Sequence, residues 1–167
     1  CAEPHWTTGN VNARHIAFSA DGTFMFIVRG GTTGTDYVYR YLLSAPFDVC
    51  DGYTRGSGSD SSYVLGGSNF INVNSQQDEA NGLAFSPDGR NMYITGTEDA
   101  SVDQYTLSTA WDLTTAVHGG SFGFEDSSEE TIPFNVTFNN DGTKMWMTGW
   151  TKDLIFEYDL STAWDVT

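Results

Sequence analysis

An all-β fold assembled from stacked copies of one unit is the architecture this sequence predicts, and three observations predict it. The chain writes nearly the same phrase three times: AFSADGTFMFIV leading to YVYRYLLSAPFDV, AFSPDGRNMYIT leading to SVDQYTLSTAWDL, and TFNNDGTKMWMT leading to LIFEYDLSTAWDV. A unit of this size cannot bury its own apolar face and must stack on neighbours. Within each copy apolar and polar residues alternate at period two, as in Phe156, Glu157, Tyr158, Asp159 and Leu160, which is the periodicity of a half-buried strand. Composition agrees, because 14% aromatic residues, 18 glycines and only 17% charged residues in 167 suit a compact β-rich domain rather than a disordered chain.

The elements follow in order. A first strand ends at Phe18, Phe85 and Phe138 in the three copies, and an Asp-Gly turn comes next at Asp21-Gly22, Asp88-Gly89 and Asp141-Gly142. There glycine supplies the positive φ that a tight reversal needs. A second strand carries Met25, Met92 and Met145 in register, flanked by Phe26, Tyr93 and Trp146. After a Gly-containing loop, a third strand holds Tyr39, Tyr41 and Leu43, then Asp103, Tyr105 and Leu107, then Phe156, Tyr158 and Leu160 in the same slots. Each third strand runs into a closing phrase, SAPFD at Ser44 to Asp48 and STAWD at Ser108 to Asp112 and Ser161 to Asp165. Its Ser/Thr and Asp suggest a side-chain-bonded turn that pins the aromatic as a plug. A weaker fourth strand is expected around Phe70 to Val73 and again around Phe122 to Phe124.

Four short strands and no helix per copy is the make-up of a propeller blade. The expected fold is therefore a propeller-like array of about three four-stranded antiparallel blades in a single domain, 1–167, with repeats at approximately 11–67, 68–120 and 121–167. The interval from Asp21 to Asp88 is about 67 residues and that from Asp88 to Asp141 about 53, near the long end of blade periods. The extra length lies in two Gly/Ser-rich loops, Gly30 to Thr35 and Asp51 to Gly67. The third copy stops after its closing phrase, and His5 to Asn10 is the segment that could supply its fourth strand. Closed propellers have about 4–8 blades. The expectation is thus an excerpt of a longer propeller, a ring completed by neighbouring chains, or sheets stacked openly against a partner.

Charge narrows the partners. Against 22 Asp+Glu stand 7 Lys+Arg, a formal net charge of -15, so polyanions are repelled over most of the surface and nucleic acid is not an expected partner. No apolar run is long enough for a membrane-spanning helix. The chain opens on Cys1, and its other cysteine is Cys50. A Cys1–Cys50 disulfide, a lipid-modified Cys1 and two unrelated thiols all stay open, the first fitting an exported chain.

The phrases F-x-x-D-G-T-K-M-Y and Y-x-L-S-T-A-W-D carry a family likeness. From Ile16 to Val166, and above all in GTKMW near Gly142 and in the two STAWD phrases, the chain resembles β-propeller-like repeat proteins of bacteria and their phages, in the style of YVTN-type blades. The first copy departs from the pattern with Pro46-Phe47 in place of Ala-Trp. What the resemblance implies is a propeller-like fold in surface-exposed or virion proteins, which are more often binding or structural than enzymatic; it names no ligand.

Candidate chemistry is sparse. His5, His15 and His118 occupy unrelated repeat positions without ligand spacing, so no metal site is expected from them. No nucleophile elbow, P-loop or HExxH is present, and no catalytic residue is assigned. Carboxylates cluster at Glu125, Asp126, Glu129 and Glu130, with Asp78 and Glu79 in the preceding copy. A solvated acidic loop is the preferred reading over a calcium site, because no loop follows the calcium-binding pattern. The sequon Asn135-Val136-Thr137 falls in the first strand of the third copy, where a buried backbone disfavours glycosylation. Trp111 and Trp164 recur with the repeat and are expected as core plugs, whereas Trp6 and Trp150 do not recur. Trp150, Lys152 beside it, and Trp6 are therefore the candidate contact residues, for a partner surface or a sugar ring.

The function expected is a non-catalytic extracellular, cell-surface or virion-surface module for adhesion and protein–protein assembly, forming homo-oligomers or joining a neighbouring structural protein. The alternative is a carbohydrate-binding or glycan-hydrolysing propeller, the latter needing paired carboxylates in a cleft beside exposed aromatics.

Overall fold

Each copy of the repeat folds as one antiparallel sheet. The computed structural model describes residues 12–31, 36–49, 69–97, 100–124 and 132–167. The first sheet orders β1 (Asn12–Phe18), β2 (Phe24–Gly30), β3 (Tyr37–Leu42) and β4 (Phe70–Asn72) side by side. The second does the same with β5 (Ala80–Phe85), β6 (Asn91–Gly96), β7 (Ser101–Leu107) and β8 (Ala116–Gly123). The third has β9 (Pro133–Phe138), β10 (Lys144–Gly149) and β11 (Ile155–Asp159) among the described residues. Two details differ from expectation. β8 begins well before Phe122, directly after the closing phrase, because Leu107 pairs with Ala116 and the ladder runs on to Ser101 and Gly123. The helix-free blade also acquires one 3-10 turn at Leu113–Thr115, which starts where the Asp112 carboxylate accepts the Thr114 N–H.

Strand alternation gives every sheet two faces, and the in-register methionines say which is which. Met92, with Leu83, Ile94 and Tyr105, packs against Phe26, Val28 and Val38 of the first sheet. Met145, with Met147 and Val136, packs against Tyr93 and Val102 of the second. The methionine face thus looks back to the preceding blade, and the Phe26/Tyr93 face looks forward to the next. Burial of rings such as Phe26 and Tyr93, both fully enclosed, contributes roughly 1.5–3 kcal/mol each.

The Asp-Gly turn and the closing aromatic form one unit. Gly22, Gly89 and Gly142 have φ of 72°, 69° and 73°, and a Cβ on any of them would overlap the ring of Phe47, Trp111 or Trp164. Glycine is required twice over, by conformation and by the ring lying on it. The backbone locks the pair, since the N–H of Phe47, Trp111 and Trp164 donates to the carbonyl of Gly22, Gly89 and Gly142 at 2.9 Å each. Asp21, Asp88 and Asp141 order the turn by accepting the N–H two residues on. In the closing phrase it is Asp112 and Asp165 that bond forward, to the Thr114 and Thr167 backbone and hydroxyls.

Forward-facing polar side chains then hold the next blade by that same phrase. Arg40 donates to the Trp111 carbonyl at 2.6 Å, Tyr93 donates its hydroxyl to the Trp164 carbonyl at 2.7 Å, and the Gln104 carbonyl oxygen accepts the Val166 N–H at 2.9 Å. In the third blade the equivalent positions turn inward on their own sheet. Lys144 bonds Glu157 and Asp159 at 2.6 Å each, and Trp146 Nε1 donates to Glu157 at 2.7 Å. The lysine holds the Glu157 carboxyl below its ordinary range. On this face Asn135 and Thr137 are exposed, so the expectation that the sequon lies buried between strands is corrected: β9 is an edge strand, and these side chains point away from the packed face.

Candidate functional site

The inner strands β1, β5 and β9 pack against one another, β1 on β5 and β5 on β9, and each is interrupted near its start by a bulge. The pairing skips Arg14 between Ala13 and His15, Asn81 between Ala80 and Gly82, and Phe134 between Pro133 and Asn135. A bulge bends a strand and redirects one side chain out of the ladder's alternation. All three sit at the same register, so the array presents an arginine, an asparagine and a phenylalanine at one end. No signal from a single copy marks them. Only alignment of the three copies places Arg14, Asn81 and Phe134 at one position, at the same offset before the Asp-Gly turn of each copy.

This end holds buried polar groups with unmet valences. Asn81 is 2% exposed, and neither its amide nitrogen nor its amide oxygen has a partner. Asp36 is fully buried; one carboxylate oxygen accepts the N–H of Gly31 at 3.0 Å and of Ala80 at 3.1 Å, while the other has no partner. Burial pushes the Asp36 pKa up, against the pull of those N–H groups. Glu79 adopts a left-handed backbone at φ 55° and accepts the Thr97 hydroxyl at 3.2 Å. Among the described residues no three His, Cys, Asp or Glu side chains group to hold a metal ion.

Trp150 follows β10 at the same end. Its N–H donates to the Ile132 carbonyl at 3.1 Å, which fixes the loop's start, and its ring stacks on Phe134 at 5.9 Å between centroids and 29° between planes. The indole is 70% exposed and Phe134 37% exposed, so the pair is a platform rather than a core element. Lys152 lies in the same loop, before the exposed Leu154 and Ile155. Trp111 and Trp164 are the plugs the repeat predicts. Trp6, Cys1, Cys50 and the acidic run Glu125 to Glu130 lie outside the described residues.

A second polar cluster sits between β7 and β8. Asp103 bonds His118 Nε2 at 2.8 Å with one oxygen, and with the other accepts the Gln77 amide and, at 3.2 Å, the Ser101 hydroxyl. Histidine does not stand between serine and aspartate, so this is not the relay of a nucleophilic hydrolase. It ties the outer strands to the loop after β4.

No protein-family model matches the sequence, and no curated protein matches it. Solved structures do resemble the fold. A candidate 6-phosphogluconolactonase from Bacteroides uniformis superposes with TM-score 0.55 and 14% identity, over 91% of this chain and 40% of that one. Sqt1 of Chaetomium thermophilum gives TM-score 0.51 and 16% identity, over 89% and 30%. Hydrazine synthase of Kuenenia stuttgartiensis gives 0.52 and 14%, over 90% and 46%. At these identities the likeness concerns the fold alone, an all-β array of propeller-like blades. The chain spans less than half the length of each of these structures.

Proposed function

We propose that the chain is a non-catalytic propeller-type module that works by assembly with neighbouring protein at the outside of a cell or virion. One observation carries this reading. Val38 and Val102, on the forward faces of the first two blades, are fully buried by the blade that follows, whereas Ile155 at the equivalent place in the third blade is 73% exposed. Leu154 beside it is exposed too. In the first two sheets a fourth strand lies outside β3 and β7; among the described residues β11 has none outside it. An uncovered apolar corner beside an open strand edge is a surface that invites a partner strand. A second copy of the chain or a neighbouring structural protein is the partner this reading supposes.

The test is the assembly state of the full chain by light scattering after size exclusion. Oligomers are expected at micromolar concentration, and Ile155→Lys is expected to dissolve them while leaving the circular dichroism spectrum and melting transition in place. A wild-type chain that stays monomeric and captures no copy of itself by crosslinking refutes self-assembly.

A further inference from the structure

We propose that the forward face of the third blade receives the backward face of the first blade of a second copy, so that two copies close head to tail into one ring of six blades. This deepens the assembly reading and rests on it: the partner at the Ile155 corner is a second copy, and the patch that copy offers is Ile16, Phe18 and Phe47.

The two joints inside the chain set the pattern. Where the first blade meets the second, Val38 of the forward face and Leu83 of the backward face share one core, and the Phe26 and Phe85 rings lie 4.4 Å apart between centroids. Where the second meets the third, Val102 and Val136 share a core in the same way, and the Tyr93 and Phe138 rings lie 4.3 Å apart. A forward face therefore meets a backward face at fixed register positions. By strand pairing the next members of these series are Ile155 and Trp146 on the front of the third blade, and Ile16 and Phe18 on the back of the first. Ile16 is 51% exposed, where its counterparts Leu83 and Val136 are each 2% exposed. The plug ring Phe47 is exposed as well. The array is thus uncovered at both ends, at positions that both internal joints bury. Met25, Ile27 and Tyr41 on the back of the first blade are already buried, so the contact falls on the inner-strand and plug half of that face.

Polar groups continue the same series. Gln104 accepts the Val166 N–H with its carbonyl oxygen, and Tyr93 donates its hydroxyl to the Trp164 carbonyl. Their slots in the third blade hold Glu157, an acceptor, and Trp146, whose indole N–H is a donor. On the first blade the counterparts of Val166 and Trp164 are Val49 and Phe47. Trp146 and Glu157 now satisfy each other at 2.7 Å. Across the new joint they exchange that bond for two, with Trp146 donating to the Phe47 carbonyl and Glu157 accepting the Val49 N–H.

Blade number then sets the number of copies. Closed propellers have about 4–8 blades, so three from one copy are too few, nine from three copies are too many, and two copies fit. A front-to-back joint that failed to close would instead grow into an open filament.

Light scattering after size exclusion on the full chain, over a hundredfold range of concentration, tests the ring. The expected mass is that of two chains, with no larger species as concentration rises. Ile16→Lys, at the other end of the array from Ile155, is expected to raise the dissociation constant at least about a hundredfold, as Ile155→Lys does, because either substitution puts a charge into both joints. Each side chain is exposed in the single chain, so the circular dichroism spectrum is expected to stay in place. Hydrogen exchange of the wild type above and below its dissociation concentration is expected to show β1 and β11 gaining protection together, and it decides the matter if Ile16→Lys does not fold. A wild type that stays monomeric overturns the assembly reading and this inference with it. An assembly that Ile16→Lys leaves intact, protection gained by only one of the two strands, or a mass that keeps rising overturns the ring alone.

Discussion

Alanine in place of Gly89 is the most searching probe of the blade, because two separable costs meet at one atom. The first is conformational: at φ 69° an L-residue is strained by roughly 1–2 kcal/mol. The second is steric, since the new Cβ would overlap the Trp111 indole. That ring is not a flexible end that swings away. It packs on Phe26 and Phe85 with centroids at 5.9 and 5.3 Å, and its backbone N–H is tied to the Gly89 carbonyl at 2.9 Å. Overpacking against such a ring costs about 1–3 kcal/mol. Gly89→Ala is thus expected to destabilise by about 2–5 kcal/mol, a large share of the roughly 5–15 kcal/mol available to a domain.

A double-mutant cycle separates the terms. In a Trp111→Ala background the ring is gone and only the conformational cost of roughly 1–2 kcal/mol remains, so the two substitutions are expected to be coupled by about 1–3 kcal/mol. Gly89→Asn in that background is expected to be nearly neutral, because asparagine tolerates the left-handed region. Urea denaturation followed by far-ultraviolet circular dichroism measures each step, with an unchanged slope showing that the same surface unfolds. A single-mutant loss below about 0.5 kcal/mol, or an equal loss with and without the indole, refutes the account of glycine as both hinge and seat.

Three further outcomes are expected. Tyr93→Phe keeps the ring, as Phe26 does in the first blade, but removes the hydroxyl donated to the Trp164 carbonyl; a loss of about 1–2 kcal/mol by denaturant titration is expected, and none would show the link between the second and third blades to be idle. His118→Ala withdraws one partner from the buried Asp103 carboxylate and is expected to cost about 1–2 kcal/mol, with Asp103→Asn in the same background restoring part of it. The raised pKa of Asp36 means that the fold binds its proton more tightly than the unfolded chain does, so its contribution to stability is full below the ordinary carboxylate range and is lost as pH rises through the folded pKa. Asp36→Asn keeps an oxygen for the Gly31 and Ala80 N–H groups, and is expected to remove that decline and to melt higher than wild type at neutral pH. A parallel pH profile for the two proteins would sink this reading.

The blade was legible in the sequence because its signals are local. Met25, Met92 and Met145 recur at one spacing from an Asp-Gly turn, and a strand's period of two then assigns each neighbour to a face, so the cores follow from the repeat. The glycine–aromatic seat was half legible. Phe47, Trp111 and Trp164 are separated from Gly22, Gly89 and Gly142 by an intervening hairpin, and recurrence alone does not say that the ring closes back on the glycine. The pairing of Asp103 with His118 was hidden, since it depends on β8 starting at Ala116 and not near Phe122. Trp150 was legible as a residue the copies do not share, and it is exposed on a loop. Phe134 beneath it was not, because a bulge is a property of pairing between strands and leaves no composition behind.

The same contrast separates architecture from recognition in this chain. What recurs between blades is the backbone acceptor: the plug carbonyls of Trp111 and Trp164 receive Arg40 and Tyr93, donors from positions that hold Gln104 and Phe26 in the neighbouring copy. The inner-strand bulge is another position that differs, where Arg14, Asn81 and Phe134 are left out of the ladder in their blades. A repeat array can vary such residues without altering its core. Three unlike side chains brought to one end by three like strands are what a recognition surface built on a uniform scaffold requires. Asn81→Phe and Asn81→Arg each put a larger side chain where Asn81 is 2% exposed among the inner strands, so both are expected to lower the melting temperature by overpacking, and an unchanged transition would refute that.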